Sequence, residues 1–306
     1  MPIILPHGLP ARRALEADGI RVLDEDRNDQ DGDAPLQAVL VNLMPRKTDS
    51  ETQIARLLSG TRRTVALTLV VPDSYVSNST PALHLKEFYK RWKDVRANSY
   101  DALVVTGAPV ECMPFEDVTY WPELTQIFDW AERNVRRSYY ICWAAQAALR
   151  HFHGVPKHQL RKKRFGVYRQ AILCPENPLF DGLNGFFPVP VSRHTETRRE
   201  DLPAGRGLTV LAASPRSGLC MVEDPDRRAL YMFNHLEYDA HTLAEEFHRD
   251  LNAGVPIAVP ENYFPSDDLS CRPVNTWRPY ARWILRNWLR SAAPAAGQAD
   301  RESDAA

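Results

Sequence analysis

Cys142, His235 and Glu237 are side chains whose types and spacing could do covalent chemistry. A cysteine thiolate is a nucleophile, and an imidazole can carry its proton. A carboxylate beside the imidazole fixes its tautomer and stabilises the imidazolium. Cys142 follows Arg137-Ser-Tyr-Tyr-Ile141 and precedes Trp143-Ala-Ala-Gln-Ala-Ala-Leu149. The first stretch is rich in β-formers and the second in strong helix formers, so Cys142 is expected between a strand tip and a helix N-terminus. Free N–H groups and the positive dipole end there stabilise a thiolate. The same stretch also reads as a strand–helix unit holding a small buried cysteine. His235 and Glu237 are two residues apart, the spacing that puts both side chains on one side of an extended segment. Of the nine histidines, His151 and His153 fall at the far end of the Cys142 helix. His235 alone comes just after a buried run, Ala229-Leu-Tyr-Met-Phe233, and an exposed His–Glu pair at a strand end is the competing reading.

The elements that must position these groups follow from the pattern of apolar runs. Gln37 to Leu43 is a continuous apolar run of strand length, as a central parallel strand is, and Thr64 to Val71, Tyr100 to Thr106 and the stretch ending at Cys142 read as further strands. Between them lie helical patterns: Thr48 to Leu58, with Thr48 and Glu51 at capping-box spacing; Thr80-Pro81 to about Trp92; and Pro122 to Asn134. Strand–helix repeated four times implies an α/β fold with a doubly wound parallel sheet. Ligands bind such sheets at the carboxyl ends of the strands, which brings the loops at Met44–Lys47, Gly107–Glu111 and Cys142 to one edge. Leu208 to Ala213, Gly218 to Val222 and Ala229 to Phe233 read as three further strands with turn signals between them. Residues 1–35 read as an irregular lead-in with a short helix over Arg12–Ala17 and a solvated acidic loop over Asp24–Asp33. A helix is expected from Thr242 to Asn252 and an amphipathic closing helix from Trp277 to Ser291.

Composition narrows the function classes. With 38 Lys and Arg against 39 Asp and Glu, the net charge of −1 gives no reason to expect a nucleic-acid or membrane surface. Five cysteines lie far apart, with no C-x-x-C pair. That disfavours a disulfide framework or zinc ribbon, no metal site is expected, and a reducing cytoplasm fits best. The start, Met-Pro-Ile-Ile-Leu-Pro-His, lacks the basic and apolar regions of a signal peptide.

The Cys142 strand–helix unit with His235-x-Glu237 after a late strand resembles the triad of class I glutamine amidotransferase-like folds. The chain as a whole resembles more specifically the homoserine O-acyltransferase family of methionine biosynthesis, traditionally called homoserine O-succinyltransferase. The matching segments run in order along residues 1–290: Val41-Asn-Leu-Met-Pro-Arg-Lys47, Glu51-x-Gln53, Val105-Thr-Gly-Ala-Pro109, Tyr120-Trp-Pro122, Cys142-Trp-Ala-x-Gln-Ala-Ala148, Gly166-Val-Tyr168, His235-x-Glu-Tyr-Asp-Ala240, Phe247-x-Arg-Asp250 and Asn262-Tyr-Phe-Pro265. Three departures stand out: no glycines at the nucleophile turn, Asn234 and Leu236 where Gly and Pro are usual, and Arg46 where lysine is common.

The resemblance implies acyl transfer from acyl-CoA to the hydroxyl of L-homoserine in the cytoplasm, ping-pong through an acyl-thioester on Cys142. His235 is then the base and Glu237 its orienting partner. No cofactor is implied, acetyl-CoA being a co-substrate, and the family suggests a homodimer. Its substrate contacts fall on Lys163, Ser192 and Arg249, with Lys47 and Glu246 as weaker candidates at the cleft edge. The acyl-donor discriminator falls on Glu111. Glycine there goes with succinyl-CoA and glutamate with acetyl-CoA, because a glutamate repels the terminal carboxylate of a succinyl group. Homoserine O-acetyltransferase is therefore the expected activity. Homoserine O-succinyltransferase is the alternative, and an amidotransferase-like hydrolase or a redox sensor on the same fold is a remoter one. Residues 1–291 are expected to form a single acyltransferase domain, with the sheet core in 35–153 and 206–255. Residues 154–205 are expected as loops and short strands inserted over the cleft, and 292–306 as a disordered tail.

Overall fold

The structure is a computed structural model that describes residues 2–25, 34–61, 63–77 and 79–292. In chain order its elements are β1 (Ile3–Ile4), α1 (Ala11–Ala17), β2 (Val22–Leu23), β3 (Leu36–Val41), α2 (Lys47–Leu58), β4 (Val65–Val71), α3 (Ala82–Phe88), β5 (Lys90–Arg91), α4 (Trp92–Val95) and β6 (Tyr100–Val105). Then come α5 (Trp121–Asn134), β7 (Val135–Ile141), α6 (Trp143–His153), β8 (His158–Ile172), β9 (Phe186–Glu196), β10 (Thr209–Ser214), β11 (Gly218–Asp224), β12 (Ala229–Met232), α7 (Thr242–Asn252) and α8 (Arg278–Ala292).

Among the described residues twelve strands form one sheet in the order β2-β1-β4-β3-β6-β7-β12-β11-β10-β8-β9, with β5 added on β4. From β2 to β12 the pairings are parallel, and from β12 to β9 they are antiparallel. The parallel half is the expected α/β unit. Its central strands β3, β6 and β7 are buried on both faces over their carboxyl-terminal halves, which is why those ends are largely apolar in sequence. Helices cover both sides, and one core runs from Ile3 through the sheet to Leu289. A second, smaller core of Phe165, Val167, Leu243, Phe247, Tyr263, Phe264 and Trp277 lies beneath α7.

Several expectations need correction. Residues 154–205 are not a set of loops and short strands. They form the long antiparallel pair β8–β9, paired through β10 into the main sheet. The outer half of β8 is exposed on an edge, so it carries charge instead of an apolar pattern. The lead-in is not irregular either: β1 and β2 extend the sheet beyond β4. The expected loop at 24–33 and tail at 292–306 lie almost wholly outside the described residues. The helix expected from Thr80 to Trp92 divides into α3, the two-residue β5 and α4. Thr48 is not a cap. Helix α2 starts at Lys47, and the Glu51 side chain turns inward to accept from His84 Nε2 at 2.8 Å and Tyr89 Oη at 2.7 Å.

Candidate active site

Cys142 occupies the single residue between β7 and α6, with φ 52° and ψ −114°. A non-glycine residue there is strained by roughly 1–3 kcal/mol and persists only where its surroundings fix it. They do: its N–H donates to Met232 O at 2.7 Å, and its carbonyl accepts from Ala145 and Gln146 N–H at 3.1 and 3.3 Å. The thiol is thus turned out at the carboxyl edge of the parallel strands, beside the first N–H groups of α6. Gly107 lies against it. A Cβ at Gly107 would come within 3.2 Å of Cys142 Cβ and 3.7 Å of Trp143 N, so the missing side chain keeps open the space before that N–H. A carbonyl oxygen could sit there, at a helix N-terminus that favours negative charge.

His235 follows β12, the strand beside β7, and its N–H donates to Pro190 O at 2.9 Å. Its ring is close enough to the Cys142 side chain for the two to interact electrostatically, and Nδ1 lies 2.6 Å from Glu237 Oε1. Burial by itself would disfavour the imidazolium. The charges of Glu237 and Cys142 outweigh it and hold His235 well above its ordinary range. The other carboxylate oxygen of Glu237 is buried without a hydrogen-bond partner, so this charge is held chiefly by the imidazole. On one face His235 stacks on Tyr238, ring centroids 4.1 Å apart and 14° from parallel. Tyr238 is itself anchored, its carbonyl accepting from Trp277 Nε1 at 2.8 Å and Asn275 Nδ2 at 3.2 Å. The structure therefore brings together the three expected groups and adds a ring that sequence reasoning passed over.

A cleft of about 330 Å³ opens before this edge, lined by Met44–Arg46, Thr106, Gly107, His235, Tyr238, Glu246 and Arg249 among others. Lys163, Ser192 and Glu246 meet there although they lie on β8, β9 and α7. Glu246 Oε1 accepts from Lys163 Nζ at 2.6 Å and from Ser192 Oγ at 2.8 Å. Lys163 also reaches Asp250 at 3.3 Å and sits 4.4 Å over the Phe165 ring. Arg249 pairs with Asp250 at 2.6 Å, and with its side chain 61% exposed its fork remains open to the cleft. Two cations and two carboxylates in one patch suit a zwitterion: a carboxylate at Arg249 or Lys163, an ammonium at Glu246.

Lys47 is not at the cleft edge. It is fully buried, donating to the carbonyls of Asn42 at 2.7 Å and Met44 at 3.1 Å, with Nζ 4.2 Å over the Tyr75 ring. Burial, against the pull of Glu51, lowers its pKa to about 7. Its place is to hold the Asn42–Pro45 loop that forms one wall of the cleft.

Glu111 is half-buried, not turned to solvent. Its carboxylate faces Thr195 Oγ1 at 3.5 Å, and its carbonyl accepts from Lys157 Nζ at 2.6 Å. Thr195 in turn lies 3.0 Å from Gln146 Oε1. Gln146, one turn along α6 from Cys142, is a polar residue in an apolar run. That contrast was the available signal that it has a fixed partner.

The sequence matches the model of the family described as homoserine O-succinyltransferase over residues 2–294. It is 51% identical over 289 residues to the homoserine O-acetyltransferase of Novosphingobium aromaticivorans, covering 94% of this chain and 95% of that one. It is 48% identical to the homoserine O-acetyltransferase of Brucella canis, covering 94% of each.

The chain belongs to the homoserine O-succinyltransferase family.

The fold of this family member is that of class I glutamine amidotransferases. A glutamine amidotransferase from Thermotoga maritima superposes with a TM-score of 0.55 at 12% identity, covering 86% of this chain and all of the other. One from Methylobacillus flagellatus gives 0.54 at 11% identity, covering 86% and 97%. Within this homoserine O-succinyltransferase family chain, Asn234 has a definite task. Its Oδ1 accepts from Arg193 Nη1 at 2.6 Å, and Arg193 also donates to Phe233 O at 3.3 Å. The buried guanidinium has no carboxylate within ion-pair distance among the described residues and is seated by these oxygens. A glycine at 234 could not supply the first.

Proposed function

We propose that this protein is a homoserine O-acetyltransferase, transferring acetyl from acetyl-CoA to L-homoserine through an acyl-thioester on Cys142. The observation that carries the choice of donor is the inward Glu111 carboxylate, wired to the nucleophile's own helix through Thr195 and Gln146. The names of the relatives from Novosphingobium and Brucella support it. The description of the family model favours succinyl-CoA as the second reading.

The Cys142 thiolate attacks the thioester carbonyl, and the oxyanion that forms is met by the Trp143 N–H. The carbon–sulfur bond to CoA breaks, and His235 gives its proton to the departing thiolate. In the second half, His235 accepts the proton of the homoserine hydroxyl as that oxygen attacks the acyl-cysteine. Cys142 leaves as thiolate with His235 again an imidazolium, and O-acetyl-L-homoserine is released. General-base help of this kind is worth about 10²–10⁴-fold. Lys163, Ser192, Glu246 and Arg249 would hold the amino acid, and Glu237 would keep His235 in place.

The test is to assay both donors and to trap the intermediate. Acetyl-CoA should be turned over faster than succinyl-CoA. Without homoserine, intact mass should rise by one acetyl group, and Cys142→Ala should abolish this. Succinyl-CoA preference overturns the donor assignment. An acyl group on another residue overturns the nucleophile. Glutamine hydrolysis without acylation by either acyl-CoA points to the amidotransferase chemistry of the fold neighbours.

A further inference from the structure

We propose that Thr195 and Gln146 are positioning residues for donor choice, Gln146 holding the Thr195 hydroxyl and that hydroxyl holding the Glu111 carboxylate beside the acyl end of the thioester. This rests on the reading that Glu111 selects the donor.

Glu111 alone is a poor discriminator. It sits in a loop after β6, and a free glutamate side chain rotates away from an incoming charge at little cost. Repulsion becomes selection only where the carboxylate is kept from retreating. The structure holds its main chain and sets a buried hydroxyl beside its side chain. At the main chain, Lys157 Nζ binds the Glu111 carbonyl at 2.6 Å and also the Met113 carbonyl, while lying 4.2 Å over the Phe115 ring. At the side chain, Thr195 Oγ1 faces Glu111 Oε2 at 3.5 Å and Gln146 Oε1 at 3.0 Å.

A hydroxyl has one proton and faces two acceptors here. It cannot serve both. Half a turn of the Gln146 amide brings Nε2 against Thr195 Oγ1, and the hydroxyl proton is then free for Glu111. Gln146 thereby sets the direction of the chain of hydrogen bonds. Thr195 and Gln146 are buried at 2% and 4% exposure, so water does not compete for these positions. Gln146 is also fixed to the nucleophile, its N–H donating to Cys142 O at 3.3 Å. The carboxylate is therefore referenced to the atom that carries the acyl group.

The competing account is that Thr195 is only a buried hydroxyl satisfied by Gln146. The two differ in what Thr195→Val does. On the structural account it lowers stability and slows both donors equally. On the positioning account it lowers the ratio of kcat/KM for acetyl-CoA over succinyl-CoA, by roughly tenfold, the low end for a hydrogen bond to a charged group. Thr195→Ser keeps the hydroxyl and should restore the ratio, and Gln146→Met should follow Thr195→Val. In a Glu111→Gly background Thr195→Val should leave the ratio unchanged, because the group it acts through is gone. An unchanged ratio in a folded Thr195→Val protein with wild-type acetyl preference overturns the positioning role alone. So does an equal change in the Glu111→Gly background. A wild type without acetyl preference overturns the donor reading and this proposal with it.

Discussion

Replacing Glu237 by Gln removes one charge from the site and little else. Glutamine can keep an oxygen toward His235 Nδ1, now 2.6 Å from Glu237 Oε1, so the loss is mainly electrostatic. Two unit charges with centres about 4 Å apart attract by roughly 4 kcal/mol at an effective dielectric of about 20. Part of that is offset, because the buried and half-unpaired Glu237 carboxylate no longer needs the imidazolium to sustain it. A fall of about 10²–10³ in kcat/KM is expected. The pH dependence gives a second readout with a definite sign. Glu237 is among the groups that raise His235, against burial, which lowers it. Without Glu237 the imidazolium gives up its proton at lower pH, so the base needed for attack by homoserine persists in more acidic solution. The acidic limb of that half-reaction should therefore move down in pH while its plateau falls. Pre-acetylated enzyme mixed with homoserine and quenched across pH, with the remaining acyl-enzyme read by intact mass, measures this directly. A loss under about fivefold, or a limb that moves up, refutes the reasoning.

Glu111→Gly should relax the discrimination against succinyl-CoA. Two carboxylates about 5 Å apart repel by roughly 3 kcal/mol at the same dielectric, so the donor ratio should change by about a hundredfold, read from kcat/KM for both thioesters. Lys47→Met should change how stability responds to alkali. Lys47 titrates at about 7 when folded and near 10.5 when unfolded, so burying it is costly below about pH 7 and the penalty lifts as pH rises between those values. Urea unfolding should show the wild type gaining on Lys47→Met by up to several kcal/mol from pH 6.5 to 9.5, and a constant gap would contradict the shift. Gly166→Ala should be destabilised by about 3 kcal/mol or more, since φ is +145° and the new Cβ would lie 2.3 Å from Glu261 O, a backbone atom that cannot yield. A melting temperature within a degree or two of wild type would count against it.

The parallel half of the sheet was legible because β3, β4, β6 and β7 are buried on both faces at their carboxyl ends and so end in apolar residues. Topology then put Cys142, Gly107 and the Met44 loop at one edge, and the expected groups do meet there. What escaped reading had partners that sequence does not label. Lys47 looked like a loop lysine because its partners are carbonyl oxygens and ring faces. Glu51 has the spacing of a cap, yet His84 and Tyr89, more than thirty residues on, draw it inward. Glu246 joins Lys163 and Ser192 across 83 and 54 residues of chain, which only the β8–β9 pair explains. That pair was hidden because its outer half lies on an edge, where Arg161 and Lys162 stay solvated.

Strand β9 is the last in the sheet, and it holds Ser192 and Thr195 three residues apart. The first faces Glu246 and the second faces Glu111. On the proposed roles, both halves of substrate choice are written in one short stretch of gene, apart from the codons for Cys142, His235 and Glu237. Exchange of that stretch between relatives could change which acyl group is moved, and onto what, in a single inheritance event. The chemistry at Cys142 would pass through it intact.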